Sequence, residues 1–321
     1  MEIKEIKAEN LDAQKFITEK VEEISSIVGD GVVFNALSGG VDSSVVTMLG
    51  HKALGDRLKT CFIDNGLMRK GEPSQVFSVF ANLDIPVEIF LAHEKFFRAL
   101  IAITDPEEKR EAVRQTFYKD VFGQLVIRSG AKHILQGTIF TDIEETLAGI
   151  KKQHNVFEQL GIDPQKEFGY QIIEPLVQLR KDGVRKVAKA LGLPKSVYNK
   201  MPFPGPALAT RIIGEVTSER IVVARKATAI VEEELAETGA FQYLAILHQD
   251  RVTGMRDGKR DFGMQIEVRC WDSIDARTAT PTRLDPDLSE RLVKRIIAEI
   301  PGVVSVTYNA TPKPPSTIEA I

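Results

Sequence analysis

The sequence predicts an α/β chain, a parallel sheet with helices on both faces, followed by a small α+β domain. Three observations carry this. Apolar runs of strand length alternate with helical stretches through the first 200 residues, a proline-rich turn interrupts the chain at 201–206, and the order of elements changes after it. Ile17, Val21, Ile24 and Val28 recur at helical spacing and predict a leading amphipathic helix that stops at Gly29-Asp30-Gly31. The run 32–37 is short, apolar, β-branched and bounded by glycines, so it reads as a buried strand; the chain then turns through Ser38-Gly39-Gly40-Val41-Asp42-Ser43-Ser44 into a helix.

Further strands are expected at 59–64, 87–91 and 133–136, with helices at 74–81, 94–101 and 107–127 between them. The last of these opens on Asp105-Pro106-Glu107-Glu108, where proline and acidic side chains suit a helix N-terminus. Residues 138–170 are polar and weakly periodic, as a lid or binding loop would be. Leu191-Gly192-Leu193-Pro194 closes a helix, and Met201-Pro202-Phe203-Pro204-Gly205-Pro206 suits neither a helix nor a central strand. The domain boundary is therefore set there, giving domains 1–201 and 202–321. The second domain is expected to run strand 211–217, helix 218–238, strands 241–248 and 263–271, helix 286–299 and strand 303–310. Its helices would cover one face of a small sheet, leaving the other for a partner subunit or for solvent.

The 321 residues, 43% hydrophobic and 27% charged, exclude disorder and coiled-coil arrays. With 42 basic and 45 acidic side chains, no long-range field favours nucleic acid or an anionic membrane. The part beyond 201 carries 15 basic and 17 acidic side chains, so it is no polybasic module. Cys61 and Cys270 lie in apolar stretches without metal-ligand spacing and read as buried structural thiols. No stretch has the length and apolarity of a membrane span, and the N-terminus lacks a signal-like apolar region, so a cytoplasmic protein is expected.

The heptapeptide 38–44 carries the chemistry. It joins a strand to a helix start, where free backbone N–H groups and the helix dipole attract an anion. Gly39 and Gly40 permit close approach to a phosphate, Ser38, Ser43 and Ser44 offer hydroxyl donors, and Asp42 can hold Mg²⁺ against phosphate oxygens. The blander alternative is a Gly-Gly turn with a Ser/Asp helix cap. Neither GxxxxGK[ST] nor GxGxxG is present, so the loop lacks the usual phosphate-binding lysine and the dinucleotide fingerprint.

This heptapeptide resembles the pyrophosphate-binding loop of the N-type ATP pyrophosphatases, which share the adenine-nucleotide alpha-hydrolase-like fold. Further blocks, Phe62-Ile63-Asp64-Asn65-Gly66-Leu67-Met68-Arg69-Lys70, Thr104-Asp105-Pro106-Glu107-Glu108-Lys109-Arg110, Gln136-Gly137-Thr138, His154-Asn155, Pro202-Phe203-Pro204-Gly205-Pro206, Arg211-Ile212-Ile213-Gly214-Glu215-Val216, Lys313-Pro314-Pro315 and Thr317-Ile318-Glu319, are similar in order and spacing to the synthetase part of GMP synthetases, of the archaeal type without a glutaminase domain. The resemblance implies a ligase. XMP attacks the α-phosphorus of Mg-ATP through its C2 oxygen, pyrophosphate leaves, and ammonia then displaces AMP to give GMP.

The resemblance assigns Ser38, Gly39, Gly40, Val41, Asp42, Ser43, Ser44, Asp64, Gly137 and Thr138 to ATP and its pyrophosphate, with Asp42 on Mg²⁺ and Asp42, Ser43 and Lys151 as the catalytic set. Asp64 otherwise reads as a turn-capping acid, and Lys151 as a solvated lysine. For the substrate nucleotide it implies Lys200, Pro204, Gly205, Lys313, Ile318 and Glu319; Lys313-Pro314-Pro315 alone reads as an extended tail, and Glu319 as an exposed acid. It also implies a homodimer through the C-terminal domain. Neither cysteine sits in a nucleophile elbow, so a separate glutamine amidotransferase subunit is expected to supply ammonia. The chain departs from the family pattern at Arg114, Phe140, Gln153, Lys200, Ala207 and Ala320-Ile321. These departures leave two other readings open, a divergent ATP pyrophosphatase with another acceptor and a nucleotide-binding regulatory subunit.

Overall fold

A computed structural model of the chain describes residues 3–147, 170–256, 258–274 and 276–320. It contains two compact units, one formed by Met1–Asp64, Glu72–Ala92 and Phe117–Lys200, the other by Asn65–Gly71, His93–Thr116 and Met201–Ile321.

The first unit is built on five parallel strands: β1 (Val33–Leu37), β2 (Leu58–Asp64), β3 (Glu88–Leu91), β4 (His133–Leu135) and β5 (Gln171–Ile173). They lie in the order β3-β2-β1-β4-β5. The chain proceeds outward from β1 through β2 to β3, then returns to place β4 on the other side of β1. That reversal leaves the loops after β1 and β4 side by side at the carboxyl ends of their strands, where open α/β sheets bind ligands. β1 and β2 are almost wholly buried, as expected for apolar runs covered on both faces.

Helix α1 (Ala13–Val28) starts at Asp12, whose carboxylate accepts the Lys15 N–H at 3.0 Å, and stops at Gly29 with φ 56°. It packs on α2 (Val41–Leu54), whose buried residues run right around the helix. The expected helix 107–127 is interrupted. α5 (Pro106–Gln115) gives way to a π-helical stretch, Thr116–Phe122, before α6 (Gly123–Ser129) resumes. Here Phe117, Tyr118 and Phe122 pack together, with Phe122 also edge-on to Phe34 of β1 at 5.5 Å, and the wider turn gives the rings room. α3 (Glu72–Ala81) and α4 (His93–Ala99) precede these, and α7 (Phe140–Leu147), α8 (Lys181–Ala190) and α9 (Lys195–Tyr198) follow.

In the second unit β6 (Gln242–Arg256) and β7 (Lys259–Asp272) form a long antiparallel hairpin, with a register shift between Leu247 and Arg251. β8 (Thr280–Pro281) pairs antiparallel and β9 (Val303–Tyr308) parallel with β7. α10 (Ser218–Leu235) lies along β6, α11 (Pro286–Glu299) along β9, and the two helices touch. Both strands of the hairpin run past the predicted limits because their outer halves stay paired although polar.

The strand expected at 211–217 does not form. A 3₁₀ turn, Ala207–Arg211, leads into a single bridge between Ile212 and Leu247. The backbone groups that would make a ladder are taken by side chains. Lys109 Nζ donates to the Ile212 carbonyl at 2.7 Å, and the Arg220 guanidinium to those of Ile213, Glu215 and His248. Gly214, at φ 87°, then turns the chain away from extended geometry.

Charge is organised inside this unit. Burial pushes the Glu267 carboxyl up, but hydrogen bonds from His248, Arg269 and Asn309 outweigh it and hold the pKa down, from the ordinary 4.5 to about 2. A depressed carboxylate stabilises the fold fully above its unfolded pKa and loses that contribution as pH falls through its folded value. Glu267 therefore contributes on the order of 3 kcal/mol at neutral pH, lost between about pH 4.5 and 2. Glu267→Gln should lower thermal stability at pH 7 and flatten its decline below pH 4.5, read from melting curves across pH. Equal acid sensitivity in both proteins would disprove the assignment.

Candidate functional site

The loop after β1 folds onto itself. The Ser38 and Ser43 hydroxyls lie 2.8 Å apart, the Ser38 N–H donates to Ser43 Oγ at 3.2 Å, and the Ser43 hydroxyl donates to the Gly40 carbonyl at 3.1 Å. α2 begins at once, its first internal bond running from Ser44 N–H to the Gly40 carbonyl. Gly40 makes no side-chain cap, so the N–H groups of Val41, Asp42 and Ser43 have no acceptor within the helix. These N–H groups, at the positive end of a buried 14-residue helix, make an anion cradle. Buried Asn35 on β1 fixes the helix to the strand, donating to Thr47 Oγ1, which in turn donates to the Ser43 carbonyl.

Gly39 and Gly137 are required by space. Gly39 has φ 74°, and a Cβ there would stand 2.5 Å from Val76 Cγ2 on α3. Gly137, just after β4, lies against the loop from the other side, where a Cβ would meet Asp42 and the Ser43 nitrogen at 3.3 Å. The loop is thus held between two elements that carry no side chain at the point of contact.

Asp42 lies in the first turn of α2. One carboxylate oxygen, Oδ2, accepts from Lys181 Nζ at 2.5 Å; the other, Oδ1, is buried without a hydrogen-bond partner among the described residues. Lys181 opens α8 and is not marked by any sequence motif, although Arg180-Lys181-Asp182 after a short strand offers a signal. Thr138 is buried and donates to a Glu174 carboxylate just past β5, a second acid that the sequence pattern does not mark. Asp64 ends β2, where its carbonyl accepts the Ala92 N–H at 2.8 Å. Ser44 is fully buried beneath the loop. Lys151 and His154 lie outside the described residues.

Lys200 is the last residue of the first unit. Its ammonium donates to the Gly39 carbonyl at 3.3 Å and pairs with buried Glu72 at the start of α3.

The remaining expected residues belong to the second unit. Pro204 accepts the Ala207 N–H in the proline-rich turn, and Gly205 has open space beside its Cα. Lys313 pairs through both backbone groups with Ala279 and donates from Nζ to the Ala276 carbonyl at 2.7 Å. Ile318 is buried in a core cluster with Leu244, Ile246, Trp271 and Ala279. Glu319 accepts two bonds from Arg211, at 2.9 and 3.1 Å, and a third from Gln242. Arg211 is fully buried and lies over the Phe203 ring at 4.7 Å. Arg269 donates to the carbonyls of Thr317 and Glu319, and Trp271 to that of Ile318, so each of residues 317–319 is held by its backbone.

Over 310 residues the chain is 47% identical to a subunit of the glutamine-hydrolyzing GMP synthase of Archaeoglobus fulgidus, covering 96% of this chain and 99% of that one. The chain belongs to this family of GMP synthase subunits. The corresponding subunits of Pyrococcus horikoshii and Methanothermobacter thermautotrophicus are each 44% identical, over 312 and 313 residues, with the same coverage of 96% and 99%. The family model for the GMP synthase C terminal domain matches residues 228–320, and that for NAD synthase matches residues 10–105. Members of this GMP synthase family are carbon–nitrogen ligases that use ATP, which fits an anion cradle at the switch point of the first sheet.

An alanine at 137 must move Asp42 or Ser43 by a few tenths of an ångström, because its contacts there are chiefly backbone. Gly137→Ala should weaken ATP binding about tenfold, since small misplacements in such a cradle are costly. Titration calorimetry with ATP reads this, with the melting temperature as control; undiminished affinity would show that the contact does not shape the loop.

Proposed function

We propose that the chain aminates XMP to GMP through an adenylyl-XMP intermediate, consuming ATP and releasing AMP and pyrophosphate, with ammonia delivered by a separate glutaminase subunit. The observation that carries this reading is the near-full-length identity of 47% to a GMP synthase subunit, in a chain that keeps the strand–loop–helix cradle 38–44. A carbonyl oxygen is a poor leaving group. Attack of the XMP C2 oxygen on the α-phosphorus expels pyrophosphate and turns that oxygen into part of AMP, which ammonia then displaces.

The cradle is suited to the first step. N–H groups of Val41, Asp42 and Ser43, the backbone at Gly39 and Gly40 and the Ser38 hydroxyl would stabilise charge collecting on the departing pyrophosphate. Ser44 would support them from below the helix start. Mg²⁺ fits here, since Asp42 Oδ1 is a buried carboxylate oxygen without a partner among the described residues and nucleotide-bound magnesium needs only one or two protein carboxylates. Asp42 would hold it, and Mg²⁺ when bound supplies charge neutralisation on phosphate oxygens. Lys181 keeps Asp42 in place and adds positive charge beside it. Thr138, oriented by Glu174, and Asp64 would address the adenosine side, and Lys151 the phosphates.

XMP would be met by the second unit, through Pro204, Gly205, Lys313 and the segment ending at Ile318 and Glu319. With Ile318 in the core and Glu319 bound by Arg211 and Gln242, that segment offers a fixed surface. Ammonia must come from elsewhere. Cys61 and Cys270 are buried and unpaired, burial and then Glu88 pushing the Cys61 thiol up to about 12, far from a reactive thiolate. We also place the reaction in the cytoplasm, because its substrates are nucleotides.

The test is to supply ATP, Mg²⁺ and XMP with ammonium or glutamine and to measure AMP, pyrophosphate and GMP. Ammonium should support GMP formation and glutamine alone should not; pyrophosphate release only with another acceptor would overturn the substrate. Asp42→Asn should lower kcat/KM about a hundredfold or more at saturating XMP.

The homodimer is proposed through the β6–β7 hairpin, where Met255 and Phe262 are 71% and 59% exposed and fall on one face by register. Sedimentation velocity should give a dimer for the native chain and a monomer for Met255→Glu/Phe262→Glu.

A further inference from the structure

The chain has no lysine within its pyrophosphate loop, yet it brings one to it. Lys200 lies 161 residues downstream of Gly39 and donates to the Gly39 carbonyl. Its second partner is the Glu72 carboxylate, whose side chain is only 5% exposed. Glu72 opens α3, the helix whose Val76 closes off the space beside Gly39. The Lys200 ammonium therefore ties the middle of the loop to the helix behind it. Lys200 also lines a cavity of about 50 Å³ together with Gly39, Ser44, Val76, Phe80 and Val197, among others. Pockets for small molecules have several hundred Å³, so this cavity is too small for a nucleotide, and the partners of the ammonium lie in the loop and in the helix behind it.

We infer that Lys200 is a positioning residue for the pyrophosphate loop and not a ligand of the substrate nucleotide. By donating to the Gly39 carbonyl it fixes the left-handed conformation at that glycine, and with it the direction in which the following N–H groups face. Glu72 holds the ammonium there, and its buried charge keeps Lys200 from turning toward solvent. This rests on the reading above only in taking ATP as the ligand of the loop.

The measurement is binding of each nucleotide separately, by calorimetry, to the native chain and three variants. Lys200→Met should weaken Mg-ATP binding at least about tenfold, the value of one hydrogen bond to a charged group, and leave XMP binding within about twofold. Lys200→Met alone leaves Glu72 buried and without its ammonium and can unfold the chain. The double variant Lys200→Met/Glu72→Gln removes both charges and should show the same ATP defect in a folded protein. Lys200→Arg, which can reach both partners, should restore ATP binding to within about threefold, a rescue that general destabilisation would not give. Weakened XMP binding with unchanged ATP binding would return Lys200 to the nucleotide site, and unchanged binding of both would reduce the pair to packing; either result overturns the inference. If the native chain binds Mg-ATP but forms no GMP, the function proposed above fails while the role of Lys200 is still decided by the ATP arm.

Discussion

The first unit depends on a set of hydrogen bonds that α2 does not make. A helix that begins immediately after a buried strand, without a capping side chain at Gly40, presents the N–H groups of Val41, Asp42 and Ser43 to whatever lies beyond the sheet. Everything around it holds that end still. Asn35 and Thr47 pin the helix to the strand, Gly39 and Gly137 let α3 and the β4 loop press in, and Lys181 holds the one acid in the first turn. On the function proposed above, an anion would meet donors already in place, so little reorganisation would accompany the chemistry.

The cradle is legible in the sequence because its signals are local. Two glycines, three serines and an aspartate between an apolar run and a helix can be read from neighbouring residues, and so can the alternation of strands and helices up to His133. The residues that complete the site are distant in sequence. Glu72, Glu174, Lys181 and Lys200 meet the loop or its neighbours through the topology of the sheet, and single-sequence periodicity carries no information about which acid will lie beside which lysine.

The second unit shows a different limit. The apolar character of 211–217 suggests a strand, but Lys109 and Arg220 take the carbonyls a ladder would have used. Propensity is overridden by two cations, buried Lys109 from a segment a hundred residues upstream and half-buried Arg220. Lys109 shows what this placement costs, for burial, with Arg220 close by, lowers its pKa from 10.5 to about 8. The segment 93–116 that contributes it reads as an ordinary helical stretch, and no pattern in it marks membership of the second unit. The π-helical turn at Thr116–Phe122 is equally hidden, since a helix with an inserted residue keeps an almost helical spacing of apolar positions.

The bidentate pair between Arg211 and Glu319 joins two distant segments of the second unit. Arg211 is wholly enclosed, and its counter-charge, Glu319, comes 108 residues later in the chain. A polypeptide cut just before Glu319 would contain nearly every element of both units and still bury a guanidinium with no carboxylate to meet it, a defect of about 3–5 kcal/mol in a protein of ordinary marginal stability. The stability of the second unit thus depends on the segment that carries Glu319, and a chain cut before it would be exposed to proteolysis by its own unpaired charge.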